Sequence, residues 1–235
     1  IDIIKKSVIR LMVYILNIET STKNCSVSIA KHGVTIALRE IATEGYSHAE
    51  KLHVFIEEVL AEAKIFYKEL DAIAIGSGPG SYTGLRIGVS AAKGLCYALG
   101  IPLIAIESLA ILATKVQVSA GVVIPMLDAR RMEVYCCVFD QDLRIIEKTS
   151  AKILDENSFE DIKESIYILG DCQEKCQSVL TDNRFNFLPE FQYPSAEEMS
   201  SLSFKKYETQ QFEDVSYFEP FYLKDFLVTV AKPKS

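Results

Sequence analysis

The stretch that most constrains this chain is Ile73-Ala-Ile-Gly-Ser-Gly-Pro-Gly-Ser-Tyr-Thr-Gly-Leu-Arg-Ile-Gly88, which runs on in a helical pattern to Leu99. Its opening, residues 70–75, is a short apolar run cut off by Gly76, Gly78, Pro79 and Gly80, and reads as a buried strand. The helical pattern that follows stops at Gly100 and Pro102, the residue types expected just past a helix C-terminus. Strand, glycine turn and helix in that order aim backbone N–H groups at a point where an anion could bind. Counting the spacing removes the familiar phosphate loops. Gly78 and Gly80 begin a G-x-G, but Thr83 holds the third glycine position, Gly84 comes one residue late, and no Gly-Lys-Ser/Thr follows.

The helix supplies another reason for the glycines. Gly84, Gly88, Ala91 and Ala92 recur along it, Leu85, Val89, Ala92, Cys96 and Leu99 form a second apolar stripe, and Arg86, Lys93 and Tyr97 leave only a narrow polar side. A helix apolar on two sides has two things to pack against. One is its own sheet. The other is expected to be a second helix approaching over the glycines, and the two-sided pattern favours a partner outside this chain over its own core.

Composition narrows the function classes. A chain of 235 residues with 49% hydrophobic and 24% charged residues can bury one large core or two modest ones. A net charge of −7 argues against a self-sufficient nucleic-acid binder, because such binding is mostly phosphate neutralisation. The six cysteines form no C-x-x-C and sit among apolar neighbours, so they read as buried reduced thiols of a cytoplasmic protein. His48 and His53 lie five apart and share no helix face, so they make a poor metal pair. The apolar run near Met12 is far too short to span a membrane. Residues 1–11 read as an upstream extension or an artefact.

Taken in order, residues 13–18, 25–31 and 34–40 read as three meander strands, the first turn (Glu19-Thr-Ser-Thr-Lys-Asn24) being rich in hydroxyls with one acid. Ser47-His-Ala-Glu50 fits a capping box for a helix carrying Leu52, Ile56, Val59 and Leu60 on one face. The glycine unit, a strand at 101–106 and a helix at 108–118 complete the first half. The pattern then restarts: strands at 122–127, 133–139 and 143–148, a helix at 156–164, a strand at 166–169 and a helix at 171–180. A last helix over 195–207 opens with Ser195-x-x-Glu198, an extended segment spans 218–224, and Lys232-Pro-Lys-Ser235 reads as a disordered basic tail. This order predicts an α/β fold of two tandem β-β-β-α-β-α units, the second degraded, over residues 12–119 and 120–235.

Two such units with a hydroxyl-rich first turn resemble the actin/hexokinase/Hsp70-like (ASKHA) fold. The resemblance becomes specific at Ile18-Glu-Thr-Ser-Thr22, Gly76–Gly88, Gly100-Ile-Pro102, Asp128-Ala-Arg-Arg-x-Glu-Val-Tyr135 and Glu219-Pro-x-Tyr-Leu223, which together look like the TsaB (YeaZ) family, part of a group once labelled glycoproteases. Its signature loops fall on Glu19, Thr20, Ser21, Gly78, Pro79, Gly80, Ser81, Thr83, Gly84, Asp128 and Arg130. The departures are small: Lys224 stands where relatives usually have Arg, and Tyr82 where many have Phe.

The resemblance implies a scaffold rather than an enzyme. Members of this family pair with the catalytic relative TsaD, and TsaE engages the pair. The assembly transfers threonylcarbamoyl to the adenosine just 3′ of the anticodon, tRNA being met only through the complex. In TsaD-like proteins two histidines four apart bind a metal; this chain has Ser108 and Leu112 at those positions, and leucine cannot ligate. No cofactor or metal is expected. The expected partner surface, offered to TsaD or to a second copy as a homodimer, comprises Leu52, Ile56, Val59, Arg86, Gly88, Val89, Ala92 and Cys96. Arg86 reads either as a salt bridge across that surface or as a cap beside the glycine loop, while Asp128 and Arg130 are read as fixing a turn. The alternative function is a stand-alone ATP-dependent small-molecule kinase of the same fold. A metalloprotease would need H-E-x-x-H or its equivalent, which the chain lacks.

Overall fold

The computed structural model describes residues 12–43 and 48–224. The expectations for residues 1–11, the Ser47 cap and the basic tail lie outside them.

Five strands form the first sheet: β1 (Tyr14–Glu19), β2 (Asn24–Lys31), β3 (Val34–Ala42), β4 (Ala72–Gly78) and β5 (Leu103–Glu107), in the order β3-β2-β1-β4-β5. The meander β1–β2–β3 is antiparallel, and β4 and β5 join parallel through helical crossovers. The second sheet repeats the plan with β6 (Val122–Asp128), β7 (Glu133–Phe139), β8 (Ile145–Ile153), β9 (Ile166–Leu169) and β10 (Phe185–Phe187) in the order β10-β9-β6-β7-β8. Taken from the meander edge, the two orders are the same. The tandem α/β plan expected from the sequence is therefore present.

Alternation along β1 explains how the first sheet is covered. Leu16 and Ile18 point into one core with α1 (His48–Ala63) and α2 (Tyr82–Leu99). Ile15 points to the opposite layer, built with Ile104, Ile106 and Ile111 against Ala196 and Met199 of α5 (Ala196–Glu208). In the same way α3 (Ser108–Ala113) lays Leu109 and Leu112 onto the second sheet beside Val123, Leu127 and Phe139. α3 thus packs on both sheets, Ile111 toward the first and Leu109 and Leu112 toward the second, while the second half sends α5 to the first sheet. A cut at 119/120 separates the strands but not the cores, because α5 and the segment after it pack on the first sheet.

The second half is shortened as expected, though not where expected. No helix forms over 156–164; residues 154–165 run through turns that bring Leu154 and Phe159 into the second core. Asp155 Oδ1 accepts from Asn157 N at 3.0 Å and Ser158 Oγ at 2.9 Å, closing a single turn, and Phe159 at a φ of 65° breaks the helical path directly after it. The helix expected over 171–180 is the short α4 (Gln173–Gln177), and the helix expected to 118 stops at Ala113. Ser195 caps α5 by accepting from Glu197 N at 3.2 Å, while Glu198 leaves the expected capping box to pair with Lys115 at 2.9 Å.

Candidate functional site

The β1–β2 turn, the glycine loop and the start of α3 close on one another. Glu19 is fully buried at the end of β1, and Gly76 leaves the room for its carboxylate, since a Cβ there would collide with Glu19 Oε2. Glu19 Oε1 accepts from Ser21 N at 2.6 Å, and Oε2 accepts from Ser108 Oγ at 3.2 Å. Ser108 Oγ in turn accepts from Gly78 N at 3.2 Å. Burial pushes the Glu19 carboxyl up, and the hydrogen bonds from Ser21 and Ser108 pull against it.

The helix start is used internally as well. Ser81 N donates to Ser21 O at 2.6 Å, and Ser81 Oγ caps α2 by accepting from Gly84 N at 3.3 Å. Thr20 Oγ1 donates to Gly84 O at 2.9 Å. His48 Nε2 donates to Thr22 O at 2.8 Å, and burial lowers its pKa. A phosphate-binding turn offers free amides to a ligand. Here Ser21 N is held by the turn's own acid and Glu19, Thr20, Ser21 and Thr22 are all buried, so the arrangement joins the chain to itself.

A strap then ties both halves over this cluster. Lys93 Nζ donates to Ser216 O and Phe218 O at 3.2 and 2.9 Å, and Phe221 N donates to Ser77 O at 2.8 Å. The Tyr222 ring meets Tyr82 at 5.1 Å, with the Arg86 guanidinium 5.0 Å over Tyr82. Lys224 Nζ then reaches the second sheet, donating to Ala129 O at 3.0 Å and pairing with Glu133. All five sequence signatures except Gly100-Ile-Pro102 meet in this cluster and strap. Two surface hollows lie apart from it: one of about 530 Å³ beside the end of α1, and one of about 290 Å³ between Asn24, Glu40, Lys115 and Tyr193.

The family model described as TsaD, tRNA N6-adenosine threonylcarbamoyltransferase, matches residues 40–231. A protein of Buchnera aphidicola subsp. Acyrthosiphon pisum named tRNA threonylcarbamoyladenosine biosynthesis protein TsaB is 30% identical over 186 residues, covering 74% of this chain and 83% of that protein. The protein of that name from Haemophilus influenzae is 35% identical over 123 residues, about half of each chain (52% and 51%). Among solved structures, YeaZ from Pseudomonas aeruginosa superposes with a TM-score of 0.80 at 26% identity, covering 90% of this chain and 100% of that one. The chain belongs to the TsaB (YeaZ) family.

Within this TsaB-type fold, the residues expected at a partner surface need correcting. Leu52, Ile56, Val59, Val89, Ala92 and Cys96 are buried in the chain's own first core, and Gly88 is buried against Thr20 and Ile75. What lies nearest the helix glycines is the β1–β2 turn, with His48 at the start of α1 beside it: a Cβ at Gly84 would strike Thr20 O and crowd His48, and one at Gly88 would strike Thr20 Oγ1. Of that set only Arg86 is exposed. The outward face of α2 instead carries Thr83, Arg86, Ser90, Gly94 and Tyr97, with Ile87, Ala91 and Leu95 half-buried beside it.

The signature loops divide in two. Glu19, Thr20, Ser21, Gly78, Pro79, Gly80, Ser81 and Gly84 belong to the buried cluster, Gly80 being where Ser21 O passes too close for any side chain, while Thr83 faces outward. Asp128 and Arg130 sit in the β6–β7 turn, reached only through the strap. Asp128 accepts there from Arg130 N at 3.2 Å, so Arg130 joins the turn by its backbone and not by its side chain. Ser108 and Leu112, at the positions of the TsaD-like histidines, are spent on structure: one hydroxyl between Glu19 and Gly78, one fully buried core leucine. In the sequence His48 reads as first-turn packing or a surface position, and nothing in its spacing announces Thr22 as its partner.

All six cysteines are free and buried. Among the described residues no helix is long and apolar enough to cross a membrane, and no group of three His, Cys, Asp or Glu stands ready for a metal.

Proposed function

We propose that this chain is the non-catalytic subunit of the machinery that makes N6-threonylcarbamoyladenosine (t6A) in tRNA, and that it works by pairing with TsaD, with TsaE engaging the pair. Alone it forms a two-fold homodimer through the same surface, and it meets tRNA within the complex. The names of its TsaB relatives support the pathway. The consumption of Glu19, Ser21 and Ser108 in internal bonds supports a structural rather than a chemical role, and also counts against a stand-alone kinase.

The observation that carries the pairing is the outward face of α2. Arg86, Ser90, Gly94 and Tyr97 repeat at three- and four-residue spacing, Tyr97 is 87% exposed, and a Cβ at Gly94 would meet nothing within 4 Å. A face of small residues flanked by an exposed aromatic lets a second helix approach closely, as in a helix bundle. Gly94→Leu tests it. The variant folds with stability at or above the parent's, since glycine costs a helix interior about 1 kcal/mol, yet it loses TsaD in co-purification. Retention of TsaD at the parent's yield refutes the pairing through this face.

A further inference from the structure

We infer that the β6–β7 turn is a phosphate-gripping tip that holds RNA through Arg130 and Arg131, an inference resting on the tRNA reading above.

Both arginines are exposed at adjacent positions and both lie at positive φ, 70° for Arg130 and 53° for Arg131. That left-handed region suits glycine or asparagine, and a long side chain there costs stability. Two consecutive arginines therefore stand where local preference asks for other residues, and neither repays the cost inside the fold. Neither guanidinium has an ion-pair or hydrogen-bond partner among the described residues.

The turn itself is held rigid by other groups. From α4, Lys175 Nζ donates to Arg131 O at 2.9 Å and Glu133 O at 2.7 Å and pairs with Asp128. From the strap, Lys224 Nζ donates to Ala129 O at 3.0 Å and pairs with Glu133. Asp171, behind the turn, accepts from Asp128 N at 2.8 Å, and burial pushes its carboxyl up. Each acid on the turn thus has its own lysine, and the two guanidiniums are left uncompensated on a fixed backbone.

Adjacent planar guanidiniums match phosphate oxygens bidentately, which lysine cannot do. Two are too few to hold a membrane surface, which takes clusters of about four to eight cations. A chain of net charge −7 also gains little RNA affinity overall, so the tip acts as a local grip within a larger assembly.

The test measures binding of an unmodified tRNA reading A-initial codons to the complex assembled with TsaD, across a salt series. Arg130→Gly with Arg131→Gly removes both cations and relieves the backbone, so its Tm should equal or exceed the parent's. Its slope of log K against log salt should be shallower by about two, roughly one for each phosphate no longer neutralised. Arg130→Lys with Arg131→Lys should keep most of the parent's slope. An unchanged slope in the glycine pair overturns the inference, as does a lysine pair that loses as much slope as the glycine pair. Loss of TsaD from the glycine variant overturns it too, by reassigning the arginines to a protein contact. A parental complex that binds no tRNA sinks the tRNA reading along with it, whereas a parent and a glycine pair that bind alike sink this inference alone.

Discussion

Thr20 occupies the space that a side chain at Gly88 would need. Its hydroxyl, bonded to Gly84 O at 2.9 Å, lies across both helix glycines and locks the β1–β2 turn onto α2. Gly84→Ala and Gly88→Leu should therefore each destabilise the fold by ~1–3 kcal/mol, and by more where the Thr20 carbonyl cannot shift. Thermal unfolding checks this. A Gly88→Leu protein that melts with the parent would mean the turn is not locked.

Ser108 holds two partners with one hydroxyl, donating to Glu19 and accepting from Gly78 N. Ser108→Ala leaves a buried amide and a buried carboxyl each short of a bond and should cost ~1–3 kcal/mol in denaturant unfolding. The side chain is fully buried, so solvent cannot substitute for it. A loss well under ~1 kcal/mol would show that the loop re-pairs without it.

The buried Glu19 makes a prediction with a sign. Its folded-state pKa is raised by desolvation, so the folded state favours the protonated form relative to the unfolded chain. The stability it contributes is fully present below the unfolded carboxylate pKa and is lost as pH rises through the folded value. Glu19→Gln cannot titrate. The parent's stability relative to Glu19→Gln should fall as pH rises above the ordinary carboxylate range in paired chemical denaturations. A difference that is flat or rises with pH would reverse the assignment.

Lys224 joins the strap to the second sheet at a partly exposed site. Lys224→Ala should change global stability by no more than ~1 kcal/mol, the usual range for such pairs. It should nevertheless speed limited proteolysis within residues 213–224, because one end of the strap is released. Unchanged cleavage would show that Phe221 and Tyr222 hold the strap by themselves.

The meander strands, the glycine unit and the tandem repeat are legible in the sequence because alternation and glycine punctuation are local signals. The covering of α2 is not. A two-sided apolar pattern says that a face is buried, but not whether a partner or the chain itself buries it, and Thr20 arrives at Gly84 from 64 residues away in sequence. The outer face of the same helix is hidden for the opposite reason. Gly94, Ala91 and Ser90 are too small and mixed to announce a surface until the larger residues are seen to point inward. The helix expected over 156–164 breaks at Phe159, whose left-handed backbone (φ 65°) no apolar periodicity announces. The strap is visible only as the Glu219-Pro-x-Tyr-Leu223 signature, with no hint of what it crosses.

The packing of α5 on the first sheet bears on how the chain is made. Until residues 196–208 have left the ribosome, Ile15, Ile104 and Ile106 of the first sheet have only Ile111 of α3 to lie against on that side, without Ala196 and Met199. The half that is synthesised first therefore completes its outer layer only when the half synthesised last supplies α5, so a nascent chain that stops before Ser195 keeps part of that apolar face open.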